Sequence, residues 1–353
     1  MATILDVKRA IEHALLGMRG VSGVGINWAD QTIRVYVESL TPAIDAAIPE
    51  NMSGFPIEVI ETGMFSTRDV NVGFDDPHRR ARWRPAYGGV SAGHFGVTAG
   101  TIGGVVVDSV TGENVMLSNN HVFANCTTVL AQTADIGDII LQPAWHDAGS
   151  PADGIATLER WIPLNPWGDN LVDCAIARPI VEGLVDSHII GDVEPDGSIV
   201  GISPRGVATV SGGEIVHKYG RTTGHTSGEI IDADFTTVIN YPGMSPMVFV
   251  DQILACIRVD GGDSGSFLLD DQNRVVGVVV ASAKSGGVYY TIANKIRNVM
   301  AMLGVEIPDS GDDIRIPGFD AVQDPVGAAN TMPSLAWVAA GTLLGAVVHR
   351  AVR

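Results

Sequence analysis

The stretch Gly261-Gly262-Asp263-Ser264-Gly265-Ser266 lies between two apolar segments, residues 253–256 and 267–269. Glycines on both sides of Ser264 favour a tight turn, because glycine adopts backbone angles that other residues avoid. A turn between two strands would expose the Ser264 hydroxyl. Gly, Asp and Ser are also the ordinary residues of turns. The stretch alone therefore indicates either a nucleophile or a simple connection between strands.

A serine hydroxyl is a weak nucleophile at neutral pH, so a catalytic serine requires a histidine base and a carboxylate that fixes the tautomer of that base. The chain has nine histidines, and one of them, His121, follows an apolar segment at residues 115–117. Asp173 precedes another apolar run at residues 174–177. A buried Asp173 would be costly unless a histidine N–H and backbone donors satisfied it. The alternative for His121 is a structural histidine at the edge of a loop.

Other acids between His121 and Ser264 lie in stretches rich in Gly and Pro, and we predict that they are solvated. These acids are Asp147, Asp153 and Asp169.

The segments around the three candidates resemble those of chymotrypsin-like serine proteases, in which His, Asp and Ser follow in this order. The segment at residues 217–228 resembles a hairpin of α-lytic protease and the streptogrisins. The fuller match, over about residues 1–305, is to a group of trypsin-fold proteins from bacteria and plants that includes the plant narrow-leaf protein. Most members of that group are predicted hydrolases. The resembling segments include Ser118-Asn119-Asn120-His121-Val122, Leu141-Gln142-Pro143, Val172-Asp173-Cys174-Ala175-Ile176-Ala177, Gly220-Arg221-Thr222-Thr223-Gly224 and Asp251-Gln252-Ile253.

The resemblance implies a mainly β fold, a chymotrypsin-like double β-barrel. It also implies a serine endopeptidase in which Ser264 attacks the scissile carbonyl, His121 is the base and Asp173 orients His121. The amides of Gly262 and Ser264 would hold the oxyanion. No metal or other cofactor is expected. Two alternatives remain open, a catalytically silent trypsin-fold scaffold or binding protein, and a processing protease dedicated to one viral or operon-encoded partner.

The resemblance also places the substrate. Arg258, six residues before Ser264, corresponds to a position often at the floor of the primary specificity pocket, where an inward side chain would favour an acidic substrate residue; we favour the alternative, an arginine that points outward at the end of a strand. Ala281, Ser282 and Ala283 lie where these enzymes pair with the substrate backbone as an added strand. The small side chains there predict an open groove.

The composition limits the partners and the location. A formal net charge of −18 argues against binding to nucleic acid, because phosphates would be repelled.

Three cysteines are too few for a disulfide framework. We expect Cys174 and Cys256 to be small core residues. The first residues lack the pattern of a signal peptide. We therefore expect a reducing, cytoplasmic setting and a protein or peptide substrate.

The pattern of apolar, charged and turn-forming residues predicts four regions along the chain. Residues 1–65 predict a small N-terminal α/β domain with helices at residues 4–19 and 41–48 and strands at residues 21–26, 33–37 and 55–60. A linker at residues 66–89 precedes the protease domain at residues 90–305. Residues 306–353 predict a flexible segment and an apolar C-terminal helix. We favour packing of this tail on the body or on a neighbouring subunit of a homo-oligomer; a membrane anchor and a self-inhibiting segment are the alternatives.

Overall fold

The computed structural model describes residues 2–67 and 76–317. The first part is an α/β unit whose predicted helices and strands are confirmed. Thr3 and Asp6 form a capping box at the start of the first helix, and the Thr41 hydroxyl caps the second. The elements are α1 (Ile4–Leu16), β1 (Val21–Asn27), β2 (Thr32–Val37), α2 (Pro42–Ala47), β3 (Asn51–Met52) and β4 (Phe55–Glu61).

A first barrel follows a short connecting region. Its six main strands have the order β9-β10-β13-β12-β11-β7, and β8 pairs with β7. Buried aliphatic side chains of these strands fill its interior, together with the aromatic side chains of Trp83 and Phe123. The elements of this part of the chain, of which β5 and β6 pair outside this barrel, are β5 (Phe65–Ser66), α3 (Pro77–Arg80), β6 (Ala86–Gly88), β7 (Ser91–His94), β8 (Gly100–Thr101), β9 (Gly104–Asp108), β10 (Asn114–Ser118), α4 (Asn120–Phe123), β11 (Ile139–Leu141), β12 (Gly154–Trp161) and β13 (Ala175–Pro179), with 3-10 turns at Trp145–Asp147 and Pro151–Asp153.

A second barrel contains the turn that carries Ser264. Its strands have the order β16-β17-β18-β21-β20-β19, and β19 pairs with β16, which closes the ring. The remaining elements are β14 (Val185–Val193), β15 (Ile199–Ile202), β16 (Ile215–Gly220), β17 (Gly224–Asn240), β18 (Met247–Cys256), β19 (Phe267–Asp270), β20 (Val275–Ser285), β21 (Val288–Lys295), α5 (Ile296–Leu303), β22 (Val305–Glu306) and β23 (Ile314–Ile316).

The two barrels repeat one strand order. If the six strands of each barrel are numbered along the chain, both sheets run 2-3-6-5-4, with strand 1 next to strand 4. A shared apolar cluster joins the barrels, with Leu117 from β10, Tyr219 from β16 and Phe267 from β19. The predicted mainly β double-barrel architecture is confirmed. It brings α4, which carries His121, and the turn before β19, which carries Ser264, to the junction between the barrels.

The N-terminal unit shares a sheet with the second barrel. It has a core of its own, built from α1 and the inner faces of β1 and β2. β1 also pairs antiparallel with β17, Gly23 opposite Thr237 and Val24 opposite Thr236. The division of the chain into domains stays a prediction.

Two features of the described residues differ from expectation. Ile314–Ile316 forms β23 and pairs with β15, inside the region predicted to be flexible, because Ile316 buries its side chain in the first barrel. Cys256 is exposed, so its prediction as a core residue is wrong; β18 ends there and its side chain faces outward. The predicted C-terminal helix lies outside the described residues, among which there is no helix of the length and apolarity needed to span a membrane.

Candidate active site

His121 and Asp173 form a hydrogen-bonded pair between α4 and the start of β13. Nδ1 of His121 lies 2.6 Å from Oδ2 of Asp173, and the backbone N–H of His121 donates to Oδ1 at 3.1 Å. The Asp173 side chain is fully buried, while the imidazole is 11% exposed. A carboxylate on Nδ1 fixes the tautomer that leaves the second ring nitrogen, Nε2, available as a base.

The polar residues before His121 hold the pair in place. The amide of Asn119 donates to the Asp173 carbonyl at 2.7 Å. The Ser118 hydroxyl donates to the Thr101 carbonyl at 2.8 Å, and the Asn120 amide donates to the carbonyls of Thr127 and Ile162. Each member of the Ser-Asn-Asn run therefore ties α4 to the body of the first barrel.

Asn294 on β21 fixes the backbone of Asp173 from the second barrel. Its Oδ1 accepts the Asp173 N–H at 2.8 Å, and its amide donates to Oε1 of Gln252 at 2.7 Å. Gln252 in turn donates to the Leu171 carbonyl. Gln252 of the Asp251-Gln252-Ile253 segment therefore connects Asn294 to the backbone just before Asp173 through buried hydrogen bonds.

Tyr241 supplies a second side-chain donor to Asp173. Its hydroxyl donates to Oδ2 at 2.7 Å, and its ring lies edge-on to the His121 ring at a centroid distance of 5.9 Å. Burial and the neighbouring carboxylate raise the pKa of Tyr241 well above its ordinary value. The phenol therefore stays protonated and remains a donor.

Asp173 is ionised despite its burial. Burial alone would raise its pKa, but the charge of His121 and the hydrogen bonds from His121 and Tyr241 outweigh it and hold the pKa below the ordinary value. A buried carboxylate that accepts several hydrogen bonds is well placed to offset a positive charge on the adjacent imidazole.

Ser264 lies on a turn that only glycines can form at two positions. Gly262 has φ +101° and Gly265 has φ +96°, both in the left-handed region. A Cβ on Gly265 would stand 2.1 Å from the Ser118 hydroxyl. In the described part of the chain, the backbone N–H groups of Gly262 and Ser264 donate no hydrogen bond. They are therefore available to an oxyanion.

A buried ion pair holds this turn from beneath. Asp263 accepts hydrogen bonds from the backbone N–H groups of Thr222, Thr223 and Asp260 and from the Thr223 hydroxyl. Lys218 Nζ lies 3.6 Å from its carboxylate, with both side chains fully buried. Burial lowers the pKa of Lys218 to about 8, against the attraction of Asp263. Thr222 and Thr223 of the Gly-Arg-Thr-Thr-Gly segment therefore hold the turn in place through Asp263.

The Ser264 hydroxyl donates to the Val280 carbonyl at 3.1 Å. Among the described hydrogen bonds, none joins Ser264 to His121. In this structure His121 is therefore hydrogen-bonded to Asp173, whereas Ser264 is hydrogen-bonded to Val280 instead of His121. Hydrogen bonds of this kind are commonly long or misaligned in a protein without substrate.

The predicted specificity residues lie near Ser264 in two different settings. Arg258 is one-third exposed, contacts Asp260 at 3.6 Å and stacks over the Tyr289 ring at 5.6 Å. The cavity beside Ser264 is lined by other residues of the same loop, Val259, Asp260 and Gly261. Ala281, Ser282 and Ala283 are buried rather than facing an open groove, because Ala281 and Ala283 belong to a hydrophobic core and Ser66 of β5 pairs with Ser282.

The prediction that Asp147 is solvated is wrong. Its side chain is 4% exposed and forms an ion pair with the fully buried Arg221, and it accepts a hydrogen bond from Ser91 at 2.6 Å. Its Gly- and Pro-rich surroundings indicated a loop, but the guanidinium of Arg221 draws the carboxylate into the junction between the barrels. Asp153 and Asp169 are partly exposed.

Two residues of the site were not predicted. Tyr241 and Asn294 lie 68 and 121 positions from Asp173 in the chain, and no local pattern marks them. No group of three or more His, Cys, Asp or Glu side chains converges as a metal site within residues 2–67 and 76–317.

No protein-family model matches the sequence, and no curated protein matches it. Solved structures resemble it in fold. Chymotrypsin from Cellulomonas bogoriensis is 17% identical, with a TM-score of 0.45 over 64% of this chain and 98% of that one. Protease A from Thermobifida fusca is 16% identical, with a TM-score of 0.45 over 63% and 98%. A glutamic-acid-specific serine protease is 19% identical, with a TM-score of 0.47 over 63% and 100%. The two barrels and their repeated strand order give the chain a mainly β, double β-barrel fold of the chymotrypsin-like kind.

Proposed function

We propose that the protein is a serine endopeptidase. The observation that carries this proposal is the contact of Nδ1 of His121 with the fully buried carboxylate of Asp173 at 2.6 Å. A buried, ionised acid on Nδ1 has a clear catalytic use, because it fixes the tautomer of a base and offsets the charge that the base acquires.

The proposed reaction uses these groups in turn. Ser264 rotates from the Val280 carbonyl toward His121, which removes its proton as the oxygen attacks the scissile carbonyl. The amides of Gly262 and Ser264 donate to the resulting oxyanion. His121 then protonates the leaving amine, and water hydrolyses the acyl-enzyme by the same route. The substrates are proteins or peptides, and we extend the proposal to a cytoplasmic setting and a homo-oligomeric state.

The test is covalent labelling with a small fluorophosphonate probe, followed by mass spectrometry of the labelled peptide. We expect the probe to label Ser264, and the Ser264→Ala variant to remain unlabelled. The His121→Ala variant should label at a rate lower by a factor on the order of 10³ or more. Equal labelling of the His121→Ala variant and the unmodified protein would contradict the proposal.

The alternative is a silent scaffold that retains the fold, and the hydrogen bond from Ser264 to Val280 favours it. A scaffold would fail to label even at high probe concentration. A protease dedicated to one partner would label normally but leave casein intact, so labelling and casein cleavage together separate the three cases.

A further inference from the structure

We infer that the chain blocks its own substrate-binding edge. The blocking segment is residues 62–67, called the strap below, which connects the N-terminal unit to the region before the barrels. This inference rests on the proposed function, since it assigns the strap to the place where a substrate strand would pair.

The strap pairs with the predicted substrate edge. Ser66 lies opposite Ser282 in an antiparallel bridge between β5 and β20. Ser282 is the central residue of the three that the resemblance to chymotrypsin-like proteases assigns to substrate pairing. An extended peptide added to a sheet edge is a common mode of recognition, in which main-chain groups supply affinity. The strap already makes this kind of pairing from within the same chain.

The strap also limits the space beside the nucleophile. Ser66, Ser264, Val280 and Ser282 line one cavity of about 10 Å³, which holds about one water molecule. The Val280 carbonyl that accepts the Ser264 hydroxyl is two residues before Ser282 on the same strand. This cavity is therefore too small for a substrate side chain while the strap is in place.

The strap is anchored at both ends. Phe65 is fully buried against Phe235 at a ring-centroid distance of 5.7 Å. Asn240 of β17 accepts the Thr67 N–H at 3.1 Å and donates from its amide to the Phe65 carbonyl at 3.3 Å. Thr62 donates from its N–H to the Val37 carbonyl in the N-terminal unit at 2.9 Å.

The pairing is short enough to be replaced. β5 has two residues, and a single bridge joins it to β20. An attached segment competes at an effective concentration on the order of millimolar. A short free peptide is therefore excluded, whereas a longer strand that forms several bridges can displace the strap. This predicts selectivity for an extended segment in a large partner.

Direct binding tests the inference without relying on catalysis. The ligand is a fluorescein-labelled peptide that copies residues 60–67, measured by fluorescence anisotropy. We expect Phe65→Ala, which removes the main anchor, and Thr67→Pro, which removes the bond to Asn240, to bind it at least ten-fold more tightly than the unmodified protein. A matched peptide with Ala at the position of Phe65 should bind Phe65→Ala at least ten-fold more weakly, because it cannot refill the vacated site.

A cross-linked variant supplies the opposite state. Directly opposed residues have Cβ atoms roughly 4.5–5.5 Å apart, near the range for a disulfide, so Ser66→Cys with Ser282→Cys, introduced into the Phe65→Ala variant, should lock the strap. The locked form should lose peptide binding and regain it on reduction. Lys284→Cys with Tyr289→Cys, opposed on β20 and β21, is the control and should not change binding.

The inference is overturned if neither released variant binds the peptide, if the locked form binds it as well as the reduced form, or if neither Phe65→Ala nor Thr67→Pro folds by circular dichroism. The last result would make the strap a permanent part of the barrel. Fluorophosphonate labelling of Ser264 in the same samples reports separately on the proposed function.

Discussion

The hydroxyl of Tyr241 and Nδ1 of His121 meet at the same oxygen of Asp173, at 2.7 Å and 2.6 Å. The carboxylate of Asp173 therefore has one side-chain donor from each barrel, since His121 follows β10 and Tyr241 follows β17. This links the alignment of the two barrels to the orientation of the base.

Replacement of Tyr241 by Phe should weaken both the site and the fold. A hydrogen bond to a charged group contributes about 1.5–3 kcal/mol, so we expect the free energy of unfolding at pH 7 to fall by about 2 kcal/mol. Fluorophosphonate labelling should slow about ten-fold, since about 1.4 kcal/mol corresponds to a factor of ten.

The pH dependence of this effect distinguishes it from lost packing. The lowered pKa of Asp173 stabilises the fold above the unfolded pKa, and this contribution disappears as the pH falls through the folded value. The difference between Tyr241→Phe and the unmodified protein in urea unfolding should therefore shrink in acid. Tyr290→Phe is the control, and a difference that is constant from pH 7 to pH 3 would contradict the prediction.

Two glycines with similar backbone angles should respond differently to alanine. Gly265 and Gly287 have φ +96° and +86°. A Cβ on Gly265 would meet the Ser118 hydroxyl and the Thr101 carbonyl at 2.1 and 2.3 Å, whereas nothing lies within 4 Å at Gly287. We expect Gly287→Ala to lower the free energy of unfolding by about 1–2 kcal/mol from backbone strain. Gly265→Ala should lower it by more than about 4 kcal/mol and abolish labelling of Ser264.

Lys218 should be far more important to stability than an exposed lysine in an ion pair. Removal of one partner from a buried pair leaves an uncompensated charge and costs about 3–5 kcal/mol, so Lys218→Met should lower the unfolding free energy by that amount. Lys295 contacts Asp251 at 2.5 Å but is one-quarter exposed, and Lys295→Met should cost about 1 kcal/mol or less. Asp263→Asn in the Lys218→Met background should recover part of the loss. Equal effects of the two lysine substitutions would refute this assignment.

The junction between β1 and β17 should weaken as the pH rises. Asp232, buried in that junction, has a pKa raised to about 7 by burial, against about 3.9 in the unfolded chain. Between these values the folded state binds more protons, so the stability falls as the pH increases and levels off above pH 7. Urea unfolding at pH 5 and pH 8 should show a loss of a few kcal/mol, at about 1.4 kcal/mol per pKa unit. Asp232→Asn should remove most of this pH dependence.

The sequence predicted the parts of the site that have a local signal. Ser264 lies between glycines, Asp173 lies next to an apolar strand, and the Ser-Asn-Asn run precedes His121. Each of these patterns is short and is set by backbone geometry. The helices and strands of the N-terminal unit were predictable for the same reason, from periodicity and from the Thr41 cap.

Contacts made by barrel closure could not be predicted in this way. Tyr241 reaches Asp173 across 68 residues and Arg221 reaches Asp147 across 74, and neither pair has a local pattern. The pairing of Ser66 with Ser282 spans more than two hundred residues. The small residues on β20 predicted an open groove for a substrate strand, and composition does not reveal that a strand of the same chain pairs there.

The pairing of β1 with β17 also determines where the chain can be shortened. A chain that begins at residue 76 would retain both barrels but lose the strand that covers residues 236–237. It would also uncover Phe235, which packs against Tyr36 and Phe65. Unpaired strand edges with apolar side chains promote association between molecules, so we expect the shortened chain to aggregate where the full chain does not.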